Sequence, residues 1–336
     1  MKKNINVGII GTGYGDYVLL EALNKLNFVN QKIIYGRNKS KLKKILSTKR
    51  ANKITSSLKI FLKNKLSLIC IATIPSIQYK ILDKININNY KFFFLEKPIA
   101  NNFCNTKKIY EKFKKIKSKV AVDFMFLGLQ PFLEFKKVIK NQKISSVRIK
   151  WHFKAYHYKR NILKTWKKNK SQGGGIYFFF LIHVISYINF FFGRIKKIVS
   201  KNEILDNMNK ISGVNLNLVC GNNLKINLDF NSNAKKNIHK VEVFTQKNIF
   251  QVINNTKDHV KNFKILKLNN SKKIKKKILF LHKYPLSDSR VMPVIKLFKD
   301  LLLKKKPTSN IYDAFKAALD IEKIITHKNK IIKGKY

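Results

Sequence analysis

Acidic residues and arginines are scarce in this chain of 336 residues. It has 17 aspartates and glutamates against 71 lysines and arginines, and only six of the basic residues are arginine. A formal net charge of +54 would attract polyanions, so nucleic-acid binding is one class of function to consider. Arginine is, however, the residue favoured for bidentate recognition of phosphate and guanine. Its scarcity argues against specific nucleic-acid recognition.

Lysine is spread through every segment, together with many asparagines, isoleucines and phenylalanines. The codons of these four residues are rich in A or T, and a single G-to-A change turns a Glu codon into Lys or an Asp codon into Asn. We therefore infer a strongly A+T-biased genome. Much of the positive charge then reflects mutational drift and not function.

Cysteine is rare, and no obvious targeting segment is present. Cys70, Cys104 and Cys220 lie far apart and form no metal-ligand spacing, so no metal site is predicted. The N-terminal residues run directly into a strand without a signal-peptide pattern. The apolar stretch 176–192 is shorter than the roughly twenty residues of a membrane-spanning helix, so we expect a buried helix there. These absences favour a reducing, cytoplasmic location.

A glycine-rich loop lies between a predicted strand over 5–10 and a predicted helix over 17–26. Its candidate cofactor-binding residues are Gly11, Thr12, Gly13, Tyr14 and Gly15. Glycine permits a tight turn and a close backbone approach, and the helix N-terminus presents free N–H groups to a pyrophosphate. The order of strand, loop and helix therefore predicts a dinucleotide site.

The spacing of these glycines departs from the usual pattern. The third glycine of G-x-G-x-x-G would fall at Asp16, and Gly15 arrives one residue earlier. Because the third glycine mainly lets helix and strand pack closely, we interpret the loop as a variant. Asp16 is then either a favourable acid in the first helical turn or a residue at the ligand.

The next predicted strand, 31–35, ends where a dinucleotide fold meets the adenosine ribose. A carboxylate there would bind the 2′-hydroxyl of NAD, but the chain has Arg37 and Asn38. Arginine suits the extra phosphate of NADP. The sequence therefore favours NADP over NAD.

Two further strand exits carry candidate residues. The continuous apolar run 67–73 predicts a buried parallel strand, and its exit contains Ala72, Thr73 and Pro75. The run 92–95 is followed by the sequence Glu96-Lys97-Pro98. Proline disfavours helical backbone at the preceding residue, so the lysine is held on an extended exit where its side chain can reach a reaction centre.

Five motifs together resemble the Gfo/Idh/MocA oxidoreductases over nearly the whole chain. They are Gly11-Thr12-Gly13-Tyr14-Gly15, Ala72-Thr73-Ile74-Pro75-Ser76, Glu96-Lys97-Pro98, Val122-Asp123-Phe124-Met125-Phe126, and Gly173-Gly174-Gly175 with His183 eight residues later. The resemblance implies that a Rossmann domain holds the nicotinamide cofactor and that a second domain covers the substrate. It also implies that Lys97 contacts the reacting hydroxyl and that His183 orients the substrate or shares the proton transfer.

Burial and a positive nicotinamide ring would both disfavour the ammonium form of Lys97, so that its amine can exchange protons near neutrality. The alternative is a lysine that anchors a cofactor phosphate or faces water.

The chain also departs from the family. Many members have an Asp four residues before the histidine, where this chain has Phe179, and a further Asp at the position of Ser186. Gln78 replaces a frequent histidine, and Leu127 a frequent arginine. His183 is therefore either catalytic or a core histidine that is hydrogen-bonded to backbone.

The length fits two domains better than one small core. We predict an α/β fold with a Rossmann NAD(P)-binding domain over 1–122, and an α+β domain with a mostly antiparallel sheet over 123–336 for substrate binding and oligomerisation. In the second domain, strands are predicted over 145–153, 216–219, 224–230, 241–245 and 249–253, and helices over 291–303 and 311–327.

The sequence thus predicts a cytoplasmic NAD(P)-dependent oxidoreductase that transfers a hydride between nicotinamide and a sugar- or polyol-like hydroxyl or carbonyl. Its predicted partners are a small-molecule substrate and copies of the same chain, without specific nucleic acid or membrane. One alternative is a protein of the same fold that has lost its chemistry and binds the cofactor weakly or not at all, which Phe179 and Asp16 suit. The other is a basic nucleic-acid-binding protein.

Overall fold

The computed structural model describes residues 5–160, 162, 165–269, 276–281, 288–304, 306–328 and 330–333. The strands are β1 Ile5–Ile10, β2 Val29–Tyr35, β3 Lys53–Thr55, β4 Leu68–Ile71, β5 Phe92–Leu95, β6 Val120–Val122, β7 Ile144–Lys154, β8 Lys197–Leu205, β9 Ile211–Cys220, β10 Leu224–Asn231, β11 Asn233–Thr245, β12 Asn248–Asn254, β13 Lys264–Asn269, β14 Lys276–Leu281 and β15 Lys330–Lys333. The α-helices are α1 Glu21–Asn24, α2 Lys39–Ser47, α3 Leu58–Leu62, α4 Pro75–Lys84, α5 Phe103–Phe113, α6 Met125–Gly128, α7 Gln130–Ile139, α8 Tyr156–Lys159, α9 Ile182–Phe192, α10 Val291–Leu302 and α11 Ile311–Thr326.

These elements form two compact units. The first unit takes its described residues from 1–128, 171–173 and 286–315, and the second from 129–170, 174–285 and 316–336. The segment 286–315 was predicted in the second domain, but it lies in the first unit because α10 packs its apolar face on the first unit's sheet.

The first unit contains a six-stranded parallel sheet in the order β3-β2-β1-β4-β5-β6. Every residue of β4 and β5 is buried, as expected for parallel strands that are covered on both faces. Val7 and Ile9 of β1 pack in the cluster that includes α1 and α10. Gly8 faces the other side, where a Cβ would meet the side chains of Phe61 and Leu66. This arrangement confirms the predicted Rossmann-type α/β fold.

The second unit contains a nine-stranded sheet in the order β14-β13-β12-β11-β7-β10-β9-β8-β15. Most neighbours are antiparallel, and β10 with β7 and β15 with β8 are parallel pairs. Burial alternates along β7, with Val147, Ile149 and Trp151 inside, so one face of the sheet forms the core. The mostly antiparallel sheet was predicted correctly.

The apolar stretch over 176–192 forms a π-helical segment, Ile176–Leu181, followed by α9. Within the described residues, one helical run, Lys170–Phe192, is long and apolar enough to cross a membrane by length and composition, with a mean hydropathy of 1.8. Of its most apolar window, 67% is buried inside the fold. Buried core helices also satisfy these criteria, and this burial agrees with the predicted buried helix.

Four strands of the second unit were not predicted from the sequence. They are β8, β13, β14 and β15, and lysines occupy many of their positions. Lysine is depleted in strands generally, so the alternation of apolar residues that would have revealed these strands is weak. Sheet pairing with neighbouring strands compensates for the poor local propensity.

Candidate active site

The predicted cofactor residues follow parallel strands of the first unit. The glycine-rich loop follows β1, Arg37 and Asn38 follow β2, and the other candidates follow β4 and β5. The carboxyl ends of parallel strands meet at one edge of a sheet, and ligands of such sheets bind outside that edge. The structure therefore brings these positions to one edge, as predicted, while their roles in binding stay predictions.

The glycines of the loop serve different purposes. Gly11 has a positive φ of 116°, and a Cβ there would clash with the carbonyl oxygen of Ala72. A Cβ on Gly15 would lie 2.9 Å from Cγ2 of Ile9, so Gly15 allows the close packing of helix on strand that is usual for the third glycine. A Cβ on Gly13 would meet nothing within 4 Å. Gly13 thus leaves open space at the loop, which fits a bound pyrophosphate.

The helix after the loop begins at Gly15 as a π-helical segment, Gly15–Leu20, and continues as α1. Asp16 in its first turn forms an ion pair with Arg50 at 2.7 Å, and the Arg50 guanidinium also donates to the backbone oxygen of Asp16 at 2.7 Å. These contacts support the interpretation of Asp16 as a structural first-turn acid.

The end of β2 combines packing, capping and an exposed arginine. Gly36 is buried, and a Cβ there would clash with the side chain of Thr12. Arg37 is exposed at the next position. Asn38 caps α2, because its Oδ1 accepts a hydrogen bond from the backbone N–H of Lys41 at 2.9 Å. The side-chain carbonyl group of Asn38 therefore accepts a hydrogen bond within α2, whereas its NH₂ group makes no hydrogen bond among the described residues.

The exit of β4 is tied to the exit of β5 by Gln78. This side chain is fully buried on α4, and its Nε2 donates to the backbone oxygens of Glu96 at 2.6 Å and Pro98 at 3.1 Å. Gln78 thus fixes the backbone on both sides of Lys97. In the sequence, Gln78 was noted only because the family that the chain resembles often has a histidine at this position.

Lys97 is buried, with 8% of its surface exposed. Its backbone N–H donates to Oε2 of Glu96 at 2.6 Å, so the preceding carboxylate holds the start of the turn. The position agrees with the predicted exit from a buried strand.

Asp123 follows β6 and is 2% exposed. Its Oδ2 accepts a hydrogen bond from the hydroxyl of Tyr14 at 2.6 Å, and its backbone N–H donates to the oxygen of Leu95 at 2.9 Å. Tyr14 therefore joins the loop after β1 to the exit of β6, although β4 and β5 lie between these strands in the sheet.

Arg290 immediately precedes α10 and completes this group. Its guanidinium donates to both carboxylate oxygens of Asp288, at 2.9 and 2.6 Å, and lies 5.5 Å from the ring centroid of Tyr14. We call Tyr14, Glu96, Lys97, Asp123 and Arg290 the edge cluster.

The two carboxyl groups of the edge cluster, those of Glu96 and Asp123, have raised pKa values. Burial raises the pKa of Glu96 to about 8, helped by the nearby Asp123 and opposed mainly by Lys97. Burial also raises the pKa of Asp123 to about 6, against the hydrogen bond from Tyr14 and the charges of Lys97 and Arg290. Burial raises the pKa of Tyr14 well above its ordinary value, so Tyr14 stays a hydrogen-bond donor. The cluster can exchange protons near neutral pH.

His183, the second predicted catalytic residue, lies on α9 of the second unit. It is 6% exposed, and its ring centroid is 6.3 Å from that of Trp151 in an edge-on arrangement. Its backbone oxygen accepts a hydrogen bond from the hydroxyl of Ser186 at 2.7 Å. Phe179, at the position of the missing acid, contacts Trp166 edge-on with ring centroids 5.1 Å apart.

The sequence did not identify Asp123 and Arg290 as site residues. Asp123 entered only as part of a motif that resembles the family. One signal was available, because Asp123 follows β6 directly and acids are rare in this chain. Arg290 gave no signal, since its place depends on the return of the chain to the first unit.

Residues 5–124 match the model of the GFO_IDH_MocA oxidoreductase family, NAD-binding Rossmann fold. The predicted resemblance to the Gfo/Idh/MocA oxidoreductases is thereby confirmed for this part of the chain. A curated relative, the uncharacterised oxidoreductase sll0816 of Synechocystis sp., is 23% identical over 283 residues, which cover 78% of this chain and 75% of the relative.

Two solved structures share the fold over both units. KijD10, a 3-ketoreductase from Actinomadura kijaniata in complex with NADP and TDP-benzene, gives a TM-score of 0.79 at 14% identity and covers 99% of this chain and 100% of its own. Levoglucosan dehydrogenase in complex with NADH and L-sorbose gives a TM-score of 0.80 at 16% identity and covers 96% of both chains. At these identities the similarity establishes the fold alone.

Proposed function

We propose that this protein is an NAD(P)-dependent oxidoreductase that transfers a hydride between nicotinamide and a sugar- or polyol-like hydroxyl or carbonyl group. The observation that carries the proposal is the common position of the glycine-rich loop and Lys97 at the carboxyl edge of one parallel sheet. The open space at Gly13 and the positive φ of Gly11 fit a loop that binds a dinucleotide. Structures of the same fold bind NADP or NADH together with TDP-benzene or L-sorbose.

Different residues of this chain would bind the cofactor, transfer the proton and orient the substrate. The loop residues Gly11 to Gly15 would bind the pyrophosphate at the start of the helix. Ala72, Thr73, Pro75 and Glu96, which follow β4 and β5, would line the nicotinamide end. Lys97 would take or give the proton of the reacting oxygen, and the bound nicotinamide supplies the hydride chemistry. His183 would orient the substrate or share the proton transfer, as the family resemblance implies.

NADP is the preferred cofactor in this proposal. Arg37 is exposed directly after β2, where its guanidinium can meet the 2′-phosphate of NADP, and residues 36–40 include no carboxylate to bind the ribose of NAD. We further propose a cytoplasmic homo-oligomer that acts on a small molecule.

A second candidate function is a cofactor-binding protein without turnover. Phe179 favours it, because its aromatic contacts with Trp166 fill the position where many relatives have an acid. The raised pKa values of Glu96 and Asp123 near Lys97 favour the enzyme, because perturbed pKa values are concentrated at functional sites.

The deciding experiment measures binding of NADPH and NADH to the purified protein by fluorescence, with excess polyphosphate to mask binding by bulk charge. We expect tighter binding of NADPH than of NADH, and a loss of that preference in Arg37→Ser. Arg148→Ser is a matched control, because Arg148 is an exposed arginine on β7 of the second unit.

Absence of binding above the polyphosphate background would refute the oxidoreductase proposal. Binding that is followed by no turnover across a panel of sugars, polyols and their keto forms would favour the second candidate. Binding with equal affinity in wild type and Arg37→Ser would remove Arg37 from the cofactor site.

A further inference from the structure

The edge cluster contains a buried acid that the proposed function does not use. Asp123 lies at the exit of β6, and Lys97 lies at the exit of the adjacent strand β5. Phe179 and Ser186 occupy the two positions at which the family resemblance implies acids in many members. The chain therefore lacks the usual acids but has another one beside the lysine.

The structure holds Asp123 firmly through one of its two oxygens. Oδ2 accepts the 2.6 Å hydrogen bond from Tyr14, whereas Oδ1 is buried without a hydrogen-bond partner among the described residues. A buried carboxylate oxygen without a donor is costly, and a proton bound at Oδ1 would remove its negative charge. Oδ1 is thus available to hold a proton.

The groups that face Asp123 come from three other segments. Tyr14 belongs to the glycine-rich loop, Glu96 and Lys97 to the exit of β5, and Arg290 to the segment before α10. Lys97 and Arg290 favour the carboxylate form of Asp123, and burial opposes it. The balance of these terms leaves Asp123 able to change its protonation state near neutral pH.

A protonated lysine that contacts a hydroxyl group cannot act as a general base. The carboxylate form of Asp123 favours the ammonium form of Lys97, and an ammonium group has no free electron pair with which to accept a proton. Lys97 can take the hydroxyl proton only if it passes one of its own protons to another group. Asp123 is buried at the exit of the adjacent strand, interacts with the charge of Lys97 and can receive that proton.

We propose that Asp123, positioned by Tyr14, is the proton-holding partner of Lys97 and takes the place of the acid that is missing at Phe179. This inference rests on the proposed function. In oxidation, the C–H bond of the alcohol breaks and its electron pair leaves as hydride for the oxidised nicotinamide. The O–H proton goes to Lys97 as a Lys97 proton moves to the Asp123 carboxylate. Reduction of a carbonyl reverses each transfer.

The proposal predicts a proton linkage that needs no substrate. A positive nicotinamide ring at the sheet edge repels the proton on Asp123, whereas the neutral reduced ring does not. Affinity for NADP+ relative to NADPH should therefore rise with pH. A pKa shift of about one unit corresponds to about a tenfold change in the ratio of the two dissociation constants. The 2′-phosphate titrates in both cofactors, so its effect cancels in the ratio.

The test measures both dissociation constants from about pH 5 to about pH 9, with NADPH followed by fluorescence and NADP+ by competition. In the wild-type protein we expect the ratio to change about tenfold, and in Asp123→Asn we expect the part of this change below neutral pH to disappear. Equal effects of Asp123→Asn on both constants, with the pH dependence unchanged, would overturn the proposal and leave a purely structural role.

Two further variants keep the test decisive if Asp123→Asn folds poorly. Tyr14→Phe removes the hydrogen bond that favours the carboxylate, so the change in ratio should move to higher pH without being lost. Asp300→Asn is the matched control, because Asp300 is another buried acid of the same unit, paired with Lys296 and Lys304. It should lower stability and leave the ratio unchanged. A Tyr14→Phe variant whose ratio follows the wild-type pH curve would contradict the proposal.

Failure of the proposed function gives a different result. If neither cofactor binds above the polyphosphate background in the wild type, the oxidoreductase proposal and this inference both fall. If both cofactors bind and the wild-type ratio does not vary with pH, only the role of Asp123 falls.

Discussion

Burial has opposite consequences for two carboxyl groups of the first unit and two histidines of the second. In the first unit, burial raises the pKa of Glu96 to about 8 and that of Asp123 to about 6. In the second unit, burial lowers the pKa of His239 to about 3, and burial together with Lys168 and Lys167 lowers that of His157 to about 4. The same desolvation keeps protons on acids and drives them off histidines.

This difference in pKa distinguishes buried groups that serve packing from buried groups that can take part in proton transfer. His239 stacks on Trp151, with ring centroids 4.9 Å apart, and stays neutral at any ordinary pH. It therefore behaves as an aromatic core residue. Glu96 and Asp123 instead titrate near neutrality beside a lysine. A proton transfer partner belongs in such an environment, which is why we place the proton-holding partner of Lys97 in the first unit.

The largest effect is expected from Lys97→Ala. Loss of the amine removes general acid–base catalysis at the reacting oxygen, so turnover should fall about 10²–10⁴-fold. The measurement is kcat with NADP+ and whichever sugar or polyol the wild-type protein oxidises, together with NADPH affinity and thermal stability. Lys107→Ala, on the exposed side of α5, is the control and should retain full turnover. Equal turnover in wild type and Lys97→Ala would exclude the lysine as the catalytic group.

Through two histidines and two carboxyl groups, acidification should affect the stability of the two units in opposite directions. The folded pKa values of His239 and His157 lie below their unfolded value of about 6.5, so the unfolded state binds more protons and stability is lost as pH falls below that value. Between about pH 8 and pH 5 each histidine should cost about 2 kcal/mol. Glu96 and Asp123 have raised folded pKa values, so the stability they contribute is present at low pH and is lost as pH rises through about 6 and 8.

This contrast can be tested by hydrogen exchange. The protection factors of β9 and β10 in the second unit are compared with those of β1 and β4 in the first. On acidification we expect protection to fall in the second unit and to be kept or to rise in the first. His239→Phe should reduce the loss in the second unit, because the new ring fits among aromatic neighbours and cannot bind a proton. Parallel losses of protection in both units would contradict the contrast.

The sequence predicted the first unit better than the second for a physical reason. Its strands β4 and β5 are buried on both faces, so they read as continuous apolar runs between turn residues. The strands of the second unit are buried on one face, and lysines and asparagines occupy much of the other. Mutational drift toward lysine weakens the alternating pattern without disturbing the core, so β8 and β13 to β15 escaped prediction.

A site residue could be predicted only where the features that define its position lie close to it in the sequence. Lys97 was found because the strand before it and the proline after it define its position. The partner of Asp123 could not be found, because Tyr14 lies 109 residues away and two strands separate their positions in the sheet. Arg290 reaches the edge cluster through a return of the chain that no local pattern marks.

The glycines of the loop allow scaffold and ligand roles to be separated. Gly11→Ala places a Cβ against the carbonyl of Ala72 at a φ of 116°, and we expect a loss of about 2–3 kcal/mol in stability. Gly13→Ala has open space around its Cβ and should leave stability nearly unchanged, while NADPH affinity falls because the methyl group occupies the space proposed for the pyrophosphate. Urea denaturation and NADPH titration of both variants provide the measurements. Unchanged NADPH affinity in Gly13→Ala would contradict the proposed cradle.

The smallest expected effect concerns Asn38, where a scaffold role is observed and a cofactor role is proposed. Its Oδ1 caps α2, so Asn38→Ala should cost about 1 kcal/mol in stability, whereas Asn38→Ser keeps a capping oxygen and should cost little. If the amide group of Asn38 also meets the 2′-phosphate beside Arg37, NADPH affinity should fall a few-fold in both variants, while stability falls in only one. Chemical denaturation and NADPH titration distinguish these outcomes. An Asn38→Ser variant with wild-type affinity would restrict Asn38 to capping and leave Arg37 alone as the residue that favours NADP.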